Sequence, residues 1–429
     1  MKRRYQKILL VNPNRYREPP VIPLGLEYLA HTLRERHFSV RLLDLCFSDQ
    51  PLADLTAEIQ RFGPDAICMT VRNVDSVLYP DTDYFLPEFK DHIREIKALS
   101  PAPVIIGGSA MTADPEGIVN FLGADLGIVG PGEATLPSIL EEGDNLVGSG
   151  RTVRGAVPGN FCPQRGNDVN YQRYLDHEGL PGFETHKGCS SDCVYCIEAG
   201  TALRFRDPED VICELNQLAE RGFRHLHLCD TEFNENLPHC LTLLERMNRE
   251  KLNLQWGLYM KVGNYNERLF ELLRESGAYL VTLTVDSHER TSRYWSEAAS
   301  MIAMAKSSGI RLSVDFLTGF PYEEEETLVQ SLDFFREASP HEVVVNTVIR
   351  LYRNIGVTGI VEGDTTLHQH LIQPHGPDRD LLPPTFYSHV QPDRLNELIG
   401  GDPLFRIAGA EKVVNYQKVP ESLDKKPSS

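Results

Sequence analysis

The sequence predicts an α/β protein with two parallel sheets, and two observations lead to that prediction. Short apolar runs alternate with amphipathic segments before residue 141, and the same alternation restarts after residue 180. Strands that are apolar throughout and separated by helices are typical of a parallel sheet covered on both faces. We therefore expect an N-terminal doubly wound domain, then a partial (βα)6 barrel, then a small C-terminal segment.

The first region contains five predicted strands with helices between them. The apolar runs lie at 8–11, 40–44, 66–70, 104–106 and 126–129. The amphipathic segments that separate them lie at 25–36, 52–61, 85–99 and 115–122. Leu26, Leu29 and Leu33 recur at helical spacing, which places them on one face of the first helix. The pattern predicts a domain at residues 1–140, and the stretch at 141–180, with its Gly, Asn and Pro residues, predicts a linker.

The second region contains six predicted βα units. Strands are predicted at 183–186, 225–229, 254–259, 279–285, 311–317 and 343–349. Six units are too few for a closed barrel of eight, so a partial barrel is predicted at 181–353. Residues 354–429 contain one predicted helix near 392–399 and end in a polar tail. In both kinds of sheet, functional sites lie at the carboxyl ends of the strands.

Composition restricts the classes of partner. The chain has 429 residues, with 61 Asp and Glu against 43 Lys and Arg, and a formal net charge of −18. This surplus argues against non-specific nucleic-acid binding and against docking on anionic lipid. No stretch approaches the roughly 20 apolar residues of a membrane span, and the N-terminus lacks the apolar core of a signal peptide. We therefore expect a cytoplasmic location, a small-molecule substrate, and neither nucleic acid nor membrane as a partner.

Three clustered cysteines are the strongest signal in the sequence. Cys189, Cys193 and Cys196 follow the spacing Cys-x3-Cys-x2-Cys directly after the first predicted barrel strand. Thiolates suit both iron–sulfur centres and zinc. Three ligands for a four-iron cube leave one iron open, and an open position is typical of a catalytic site. A zinc site needs a fourth ligand, which His186 could supply, and buried thiols without a metal are the third interpretation.

The cysteine spacing at the head of a partial barrel resembles the signature of radical S-adenosylmethionine (SAM) enzymes. The resemblance covers residues 180–350 and includes the aromatic Tyr195 before the last cysteine. It implies a TIM-type partial barrel and a 4Fe–4S cluster bound by Cys189, Cys193 and Cys196, whose open iron chelates SAM. One electron, from a donor such as flavodoxin or ferredoxin, would then cleave SAM to a 5′-deoxyadenosyl radical.

The same resemblance implies SAM contacts at other strand ends. Asp230 and Glu232 follow the second strand, where the family contacts the amino group, and carboxylates suit an ammonium. Asp286 and Ser287 follow the fourth strand, where ribose and carboxylate bind, although many members have Glu-Ser there. The implied SAM-binding residues are Tyr195, Asp230, Glu232, Asp286, Ser287, Arg293 and Gly319. The alternatives are a helix-start carboxylate for the acidic pair and a surface arginine for Arg293.

The first region resembles the cobalamin-binding domain that is joined to many radical SAM enzymes, a Rossmann-like fold. Glycines at its strand ends would let backbone amides approach a bulky cofactor. The implied cobalamin-binding residues are Asn12, Leu24, Gly25, Gly107, Gly108, Ser109, Gly130, Gly132, Glu133 and Thr135. Ordinary strand-to-helix turns are the alternative for each glycine. The Asp-x-His-x-x-Gly motif of well-known modules does not occur in the sequence, so no cobalt ligand is predicted.

These resemblances lead to one main functional hypothesis and two alternatives. The main one is a cobalamin-dependent radical SAM methyltransferase that acts on an unactivated centre of a small metabolite, with residues 354–429 capping the barrel. The first alternative is a radical SAM enzyme that does not methylate but forms a ring, rearranges its substrate or transfers the 3-amino-3-carboxypropyl group. The second, of another class, is a zinc- or nucleotide-binding regulatory protein.

Overall fold

The computed structural model describes residues 4–143, 146, 148–159, 161–289, 291–373 and 381–409. The chain divides into two compact units. The first comprises the residues up to Ser76 together with Asp83–Gly179, and the second comprises Val77–Thr82 and the residues from Leu180 onward. The predicted polar tail therefore lies outside the described residues.

The first unit is built on a six-stranded parallel sheet with the order β2-β1-β3-β4-β5-β6. Its strands are β1 (Lys7–Asn12), β2 (Ser39–Asp44), β3 (Ala66–Thr70), β4 (Val104–Gly107), β5 (Leu126–Val129) and β6 (Arg151–Arg154). Its helices are α1 (Leu24–Glu35), α2 (Pro51–Phe62), α3 (Leu86–Leu99), α4 (Pro115–Leu122), α5 (Thr135–Glu142) and α6 (Tyr171–Leu175). This order confirms the doubly wound prediction and places the switch in strand order between β1 and β3.

The predicted linker at 141–180 is different in the structure. Strand β6 pairs in parallel with β5, and α6 is fixed by the Tyr174 hydroxyl, which donates to Asp44 at 2.9 Å. The first unit therefore continues well past residue 140. Strand β6 escapes prediction because its sequence, Arg-Thr-Val-Arg, has charged ends, and its position at the sheet edge leaves those ends exposed.

The second unit contains a seven-stranded parallel sheet with the order β18-β14-β13-β12-β11-β10-β7. These strands are β7 (Gly182–Phe183), β10 (His225–Leu228), β11 (Gln255–Lys261), β12 (Ala278–Asp286), β13 (Arg311–Leu317), β14 (Glu342–Asn346) and β18 (Phe405–Ile407). The covering helices are α7 (Pro208–Glu220), α8 (Leu237–Glu250), α9 (Glu267–Glu275), α10 (Ser292–Ser307) and α11 (Glu325–Ala338). The partial barrel is confirmed, and β18 adds an unpredicted seventh strand.

The remaining elements of the second unit lie at its strand ends. A hairpin pairs β8 (His186–Cys189) with β9 (Thr201–Phe205), so the strand predicted at 183–186 is in fact two short strands. Strands β15 (Ile349–Arg350), β16 (Leu371–Ile372) and β17 (Phe386–Tyr387) form a small antiparallel sheet in the C-terminal region. Helices α12 (Gly356–Gly363) and α13 (Pro392–Ile399) complete it, and α13 confirms the predicted helix.

The central barrel strands separate apolar from polar side chains by alternation. On β12, Val281, Leu283 and Val285 belong to the core beneath the helices. Because successive side chains of a strand point to opposite faces, Thr284 and Asp286 project to the other side. That inward side, which we call the lumen, carries polar residues on neighbouring strands as well. One face of the sheet therefore packs in the apolar core, and the other face carries the polar side chains of the lumen.

We expect Leu283→Ala to destabilise the second unit by about 2–5 kcal/mol, because Leu283 is fully buried and its truncation leaves a cavity. Val329→Ala on α11 is the matched control, since 36% of the Val329 surface is exposed. Urea unfolding followed by circular dichroism measures both variants. An equal effect of the two substitutions would contradict the placement of Leu283 in the core.

Candidate functional site

A loop between β8 and β9 presents the three cysteines, and its own backbone closes it. The Cys196 amide donates to the Cys193 carbonyl at 3.1 Å, and the Gly200 amide donates to the Ser191 carbonyl at 2.8 Å. Cys189 ends β8 itself. These turns hold the loop at the carboxyl end of the sheet, where catalytic groups of such barrels lie.

Burial raises the pKa of all three thiols. The pKa of Cys193 rises to about 12, that of Cys196 to about 11, and that of Cys189 also rises. A bound metal compensates the lost hydration of a thiolate, so these thiols gain their charge only with a metal in place. The Glu198 amide lies 3.4 Å from the Cys196 sulfur, and such amide contacts stabilise cluster-bound thiolates.

The arrangement of the thiols bears on the choice between zinc and a cluster. Within the described ranges, no group of three or more His, Cys, Asp and Glu side chains converges on one metal position. His186, the predicted fourth zinc ligand, places its Nδ1 atom 3.0 Å from Asp230 and its Nε2 atom is buried without a hydrogen-bond partner in the described chain. Thiolates that bind an iron–sulfur cube each take a different iron, so they need not converge. The donor set therefore fits a cluster better than zinc.

The carboxylate of Glu235 fixes the cysteine loop to the barrel. Its side chain is fully buried, and it accepts hydrogen bonds from the Ser190 amide at 2.9 Å and the Ser190 hydroxyl at 2.6 Å. Lys261, at the end of β11, pairs with it at 2.7 Å. These donors lower the pKa of Glu235 to about 2. Because 21% of the Lys261 side chain is exposed, removing it would cost roughly 1–3 kcal/mol, less than for a fully buried pair.

Glu232 presents an acceptor that no described group of the chain satisfies. Its Oε2 atom is buried without a hydrogen-bond partner among the described residues. Burial raises the pKa of Glu232 to about 8, while hydrogen bonding to Thr284 and the charge of Lys261 oppose this shift. An unsatisfied buried carboxylate oxygen is costly in the free protein and fits a bound cationic donor.

Asp286 ends β12 and is held by two tyrosines. The Tyr195 hydroxyl donates to its carboxylate at 2.8 Å, and the Asp286 amide donates to the Tyr294 hydroxyl at 3.0 Å. Burial raises the pKa of Asp286 to about 7. The contact between Tyr195 and Asp286 ties the cysteine loop to the fourth barrel strand.

Ser287 and Gly319 are linked through the carboxylate of Glu323. The Ser287 hydroxyl donates to Glu323, and the Gly319 amide donates to the other oxygen of Glu323 at 2.7 Å. All three groups are held at the carboxyl ends of β12 and β13. Gly319 has φ of +90°, and a Cβ atom there would lie 3.0 Å from the Ser388 hydroxyl oxygen, so only glycine fits without strain.

Two of the predicted SAM contacts do not lie in this site. The Asp230 carboxylate is fully buried and accepts from the Thr185 amide at 2.7 Å, the Thr185 hydroxyl and His186. It therefore serves the backbone that precedes the cysteine loop. Arg293 has 86% of its side chain exposed and pairs with Glu297 on the surface of α10. The alternative interpretation of a surface arginine is the correct one.

The C-terminal region contacts the cysteine loop directly. The Val357 amide, in the first turn of α12, donates to the Val194 carbonyl at 2.8 Å. A Cβ atom on Gly356 would lie 3.3 Å from the Val194 Cβ atom, so the glycine permits this close approach. The first turn of α12 thus packs on the loop that carries the thiols.

The sequence analysis missed the polar residues of the lumen. Asn346, which ends β14, donates to Asp315 on β13 at 2.5 Å. Burial raises the pKa of Asp315 to about 6. Strand alternation could have indicated both residues, because each stands opposite to the apolar positions of its own strand. Their juxtaposition depends on the parallel register, in which Leu317 pairs with Asn346 and Asp315 with Val344.

In the first unit, several predicted glycines lie open at the carboxyl edge of the sheet. Cβ atoms built at Gly25 and Gly130 would meet no atom within 4 Å, so these positions leave room for a ligand. A Cβ atom built at Gly132 would lie 3.4 Å from its nearest neighbour, and one built at Gly107 would lie 3.6 Å from its own, which are ordinary van der Waals distances. Thr135 begins α5 nearby and is partly exposed. This open edge fits a bulky cofactor.

Other predicted cobalamin contacts serve the fold instead. Asn12 is buried, and its side-chain amide donates to Asp44 at 2.8 Å. Leu24 packs in a small cluster with Tyr28 and Phe161. The side chains of Asn12 and Leu24 are thus engaged within the first unit.

The turn after β4 is likewise shaped by packing. At Gly108, φ is +115° and a Cβ atom would lie 2.5 Å from the Val71 carbonyl oxygen. The Ser109 hydroxyl donates to the Arg72 carbonyl at 2.6 Å, so its proton is not available to a ligand. The backbone of Val71 and Arg72 after β3, which the sequence analysis did not select, therefore forms part of the carboxyl edge of the sheet. Glu133, another predicted cobalamin contact, is buried.

Three thiols at the carboxyl edge of a partial barrel suit an iron–sulfur enzyme, and a buried carboxylate oxygen without a donor suits a cationic ligand. Residues 15–140 match the family model for the B12 binding domain, and residues 183–335 match that of the Radical SAM superfamily. The chain is therefore a radical SAM enzyme with an N-terminal B12-binding domain.

Relatives and solved structures extend along both domains. Tryptophan 2-C-methyltransferase from Streptomyces laurentii is 25% identical over 82% of this chain and 73% of its own length. Cytidylyl-2-hydroxyethylphosphonate methyltransferase from Streptomyces wedmorensis is 23% identical over 78% of each chain. The radical SAM methyltransferase TsrM from Kitasatospora setae, solved with cobalamin and a 4Fe–4S cluster, has a TM-score of 0.83 at 22% identity, over 94% of this chain and 93% of that one. This structural likeness shows the fold.

Among the described residues, none of the helices combines the length and apolar content that crossing a membrane requires.

We expect Glu232 to make the iron-free protein less stable as pH rises from about 4.5 to about 8. Its pKa is raised from 4.5 to about 8 in the folded chain, so the folded state holds a proton that the unfolded state releases over this window. Stability is therefore greatest below the unfolded pKa and decreases as pH rises toward the folded one. The difference in melting temperature between the native chain and Glu232→Gln, measured across this range, isolates the effect.

Glu245→Gln on α8 is the control for the pH experiment, because Glu245 is exposed. It should follow the native curve. If Glu232→Gln has the same pH slope as the native chain, the buried position of Glu232 is contradicted.

Proposed function

We propose that this chain is a cobalamin-dependent radical SAM methyltransferase that acts on a small molecule. The observation that carries the proposal is the extent of its likeness to a methyltransferase. The tryptophan 2-C-methyltransferase relative aligns over 82% of this chain, which is more than either domain contains. The second relative reported above is also named as a methyltransferase.

Three thiols and a protected loop support the cluster site in this proposal. Cys189, Cys193 and Cys196 would bind the cluster, with Glu235 and Lys261 holding the loop in place. Because burial raises the pKa of these thiols, loading of iron should release protons, as is usual when thiols become ligands. The Tyr195 hydroxyl, held on Asp286, keeps the loop in register with β12.

The SAM site in this proposal uses the groups that the structure brings to the strand ends. Glu232 would accept from the amino group, because its Oε2 atom lacks a donor in the described chain. Asp286 and Ser287 lie where a ribose and carboxylate would bind, and Gly319 would leave its backbone open to the adenine. Asp230 and Arg293 take no part, since one is internally satisfied and the other is on the surface.

The open edge of the first unit supports cobalamin binding. Gly25, Gly107, Gly130, Gly132 and Thr135 would contact the cofactor through backbone groups and one hydroxyl. When bound, the cluster supplies one-electron cleavage of SAM, and cobalamin supplies methyl transfer to the substrate. The residues of the chain orient these groups and exclude water, and the buried carboxyls hold the cationic end of SAM.

A reducing compartment and an electron donor complete the proposal. Cluster thiolates persist where thiols stay reduced, which supports a cytoplasmic location. The cluster needs one electron from outside the chain, and a flavodoxin or ferredoxin is the donor class that suits it. The strongly acidic surface supports a small-molecule substrate over a nucleic acid.

We expect anaerobic reconstitution of the native chain to give about four irons per chain, together with bound cobalt. Cys193→Ala should lose the iron and its brown absorbance but keep the cobalt, because the open glycines belong to the other unit. Cys229→Ala is the matched control, since Cys229 is exposed and outside the cysteine loop. Iron and cobalt analysis with an ultraviolet–visible spectrum measures all three proteins. Zinc in place of iron would contradict the proposal.

Methylation is distinguished from other radical chemistry by its co-product. Methyl transfer from SAM generates S-adenosylhomocysteine, whereas a reaction limited to the radical does not. We therefore expect S-adenosylhomocysteine in proportion to product in the reconstituted enzyme. Product without it would favour the non-methylating alternative.

We expect Gly25→Leu to reduce cobalamin loading without loss of iron. A Cβ atom at Gly25 would project into open space, and its helical backbone accepts a side chain without strain, so the variant should fold. Gly359→Leu on α12 is the control, because its Cβ atom would also meet nothing within 4 Å. Cobalt content after reconstitution is the measurement. Equal loading of both variants would show that cobalamin does not occupy the Gly25 edge.

A further inference from the structure

Part of the lining of a cavity in the second unit comes from a loop in the N-terminal part of the chain. Residues 77–82 lie between β3 and α3, inside the stretch that matches the B12 binding domain, yet they belong to the second unit. Leu78 and Tyr79 of this 77–82 loop line the cavity. Other lining residues come from the barrel and from the cysteine loop, among them Leu317 and Tyr195. A segment distant in sequence from the barrel thus helps to shape its cavity.

The loop is held at its ends and near its tip. At its ends, the Ser76 amide donates to the Asp83 carbonyl at 2.9 Å, and the Asp83 amide donates to the Ser76 hydroxyl at 3.0 Å. Near its tip, the Tyr79 ring meets the Phe386 ring edge-on, with 6.1 Å between the two centroids. A Cβ atom on Gly409 would collide with the Tyr79 carbonyl oxygen, so the glycine permits this close approach. The loop therefore provides a fixed wall.

The cavity is small enough to select a ligand by its size. Its volume is about 130 Å³. Pockets that enclose a whole drug-sized ligand measure roughly 300–1,000 Å³, whereas a cavity of about 150 Å³ holds a single benzene molecule. The cavity in this unit therefore has room for one compact group of about six carbon atoms, and not for a fused ring system.

The polar side chains that line the cavity have their donors engaged with other groups. The Tyr195 hydroxyl donates to Asp286 at 2.8 Å, and the Asn346 side-chain amide donates to Asp315 at 2.5 Å. The guanidinium of Arg350 donates to two backbone carbonyl oxygens at 2.9 Å and 3.1 Å. Because these donors are committed, the cavity favours an apolar group, which gains free energy by leaving water.

We propose that the 77–82 loop determines the size specificity of the enzyme. The cavity accepts one compact apolar group of the substrate, and Leu78 and Tyr79 exclude larger groups. Because Tyr195 belongs both to the cavity and to the cysteine loop, a group bound here lies beside the proposed cluster ligands. The proposal deepens the proposed function and rests on it for the word substrate, while its claim about size rests on the cavity alone.

Cyclohexanol and decahydro-2-naphthol test the size limit, because both are saturated alcohols and they differ by one fused ring. Isothermal titration of the reconstituted full-length enzyme with each probe gives the two affinities. We expect cyclohexanol to bind at least about tenfold more tightly, because the cavity has no room for a second ring. Equal affinities, tighter binding of decahydro-2-naphthol, or no binding of cyclohexanol would overturn the proposal.

Two substitutions in the loop should change binding in opposite directions. Tyr79→Ala removes a ring from the wall, so decahydro-2-naphthol should bind at least as tightly as cyclohexanol. Leu78→Trp adds volume to the wall and should weaken cyclohexanol binding by about tenfold or more. Tyr322→Ala is the control, because Tyr322 is 58% exposed and does not line the cavity, and it should keep the native preference.

The variants decide whether the loop sets the limit. An unchanged preference for cyclohexanol in folded Tyr79→Ala would overturn the assignment of the limit to the loop. If that variant fails to fold, Leu78→Trp decides, because undiminished binding of cyclohexanol to it would overturn the same assignment.

The two proposals fail separately. If cyclohexanol is preferred and the loop variants behave as expected, but product forms without S-adenosylhomocysteine, the size limit stands and methyl transfer does not. If S-adenosylhomocysteine forms in proportion to product while the two probes bind equally, methyl transfer stands and the inference about the 77–82 loop is wrong.

Discussion

The buried carboxylate of Glu235 is the interaction on which the catalytic end of the barrel depends. It joins three parts of the chain, because it lies after β10, accepts from Ser190 in the cysteine loop, and pairs with Lys261 at the end of β11. Val194, Tyr195 and Ile197 of the cysteine loop pack against an apolar cluster that includes Phe320 and Val357. The charge-assisted hydrogen bonds of Glu235 add a second constraint at the Ser190 end of the loop.

The barrel strands show how stability and chemistry share one sheet. Outward side chains such as Leu283 and Phe316 bury apolar surface beneath the helices. Inward side chains include carboxyls whose charged form is desolvated, which costs free energy in the free protein. A cationic ligand would offset the free energy lost by desolvating these carboxylates. The carboxyls that destabilise the unliganded chain would therefore contribute to its affinity for such a ligand.

Local patterns predicted most of the fold, while the missed features depend on contacts between distant residues. Apolar strands and amphipathic helices identified both sheets, and cysteine spacing identified the loop, because each is a short-range property. Strand β6 and strand β18 lie at sheet edges, where burial leaves a weak pattern. Asp230 and Glu232 are two residues apart and chemically alike, yet only the folded backbone shows that Thr185 satisfies the first and that the second is left without a donor at Oε2.

The contact between α12 and the cysteine loop has a consequence for assembly of the enzyme. Because the Val357 amide donates to the Val194 carbonyl, α12 rests on the same residues that lie between the cluster ligands. Insertion of iron should therefore also order the contact between α12 and the cysteine loop. A chain that has not received its cluster would hold its C-terminal region less firmly, and cellular proteases could distinguish it from the finished enzyme by that difference.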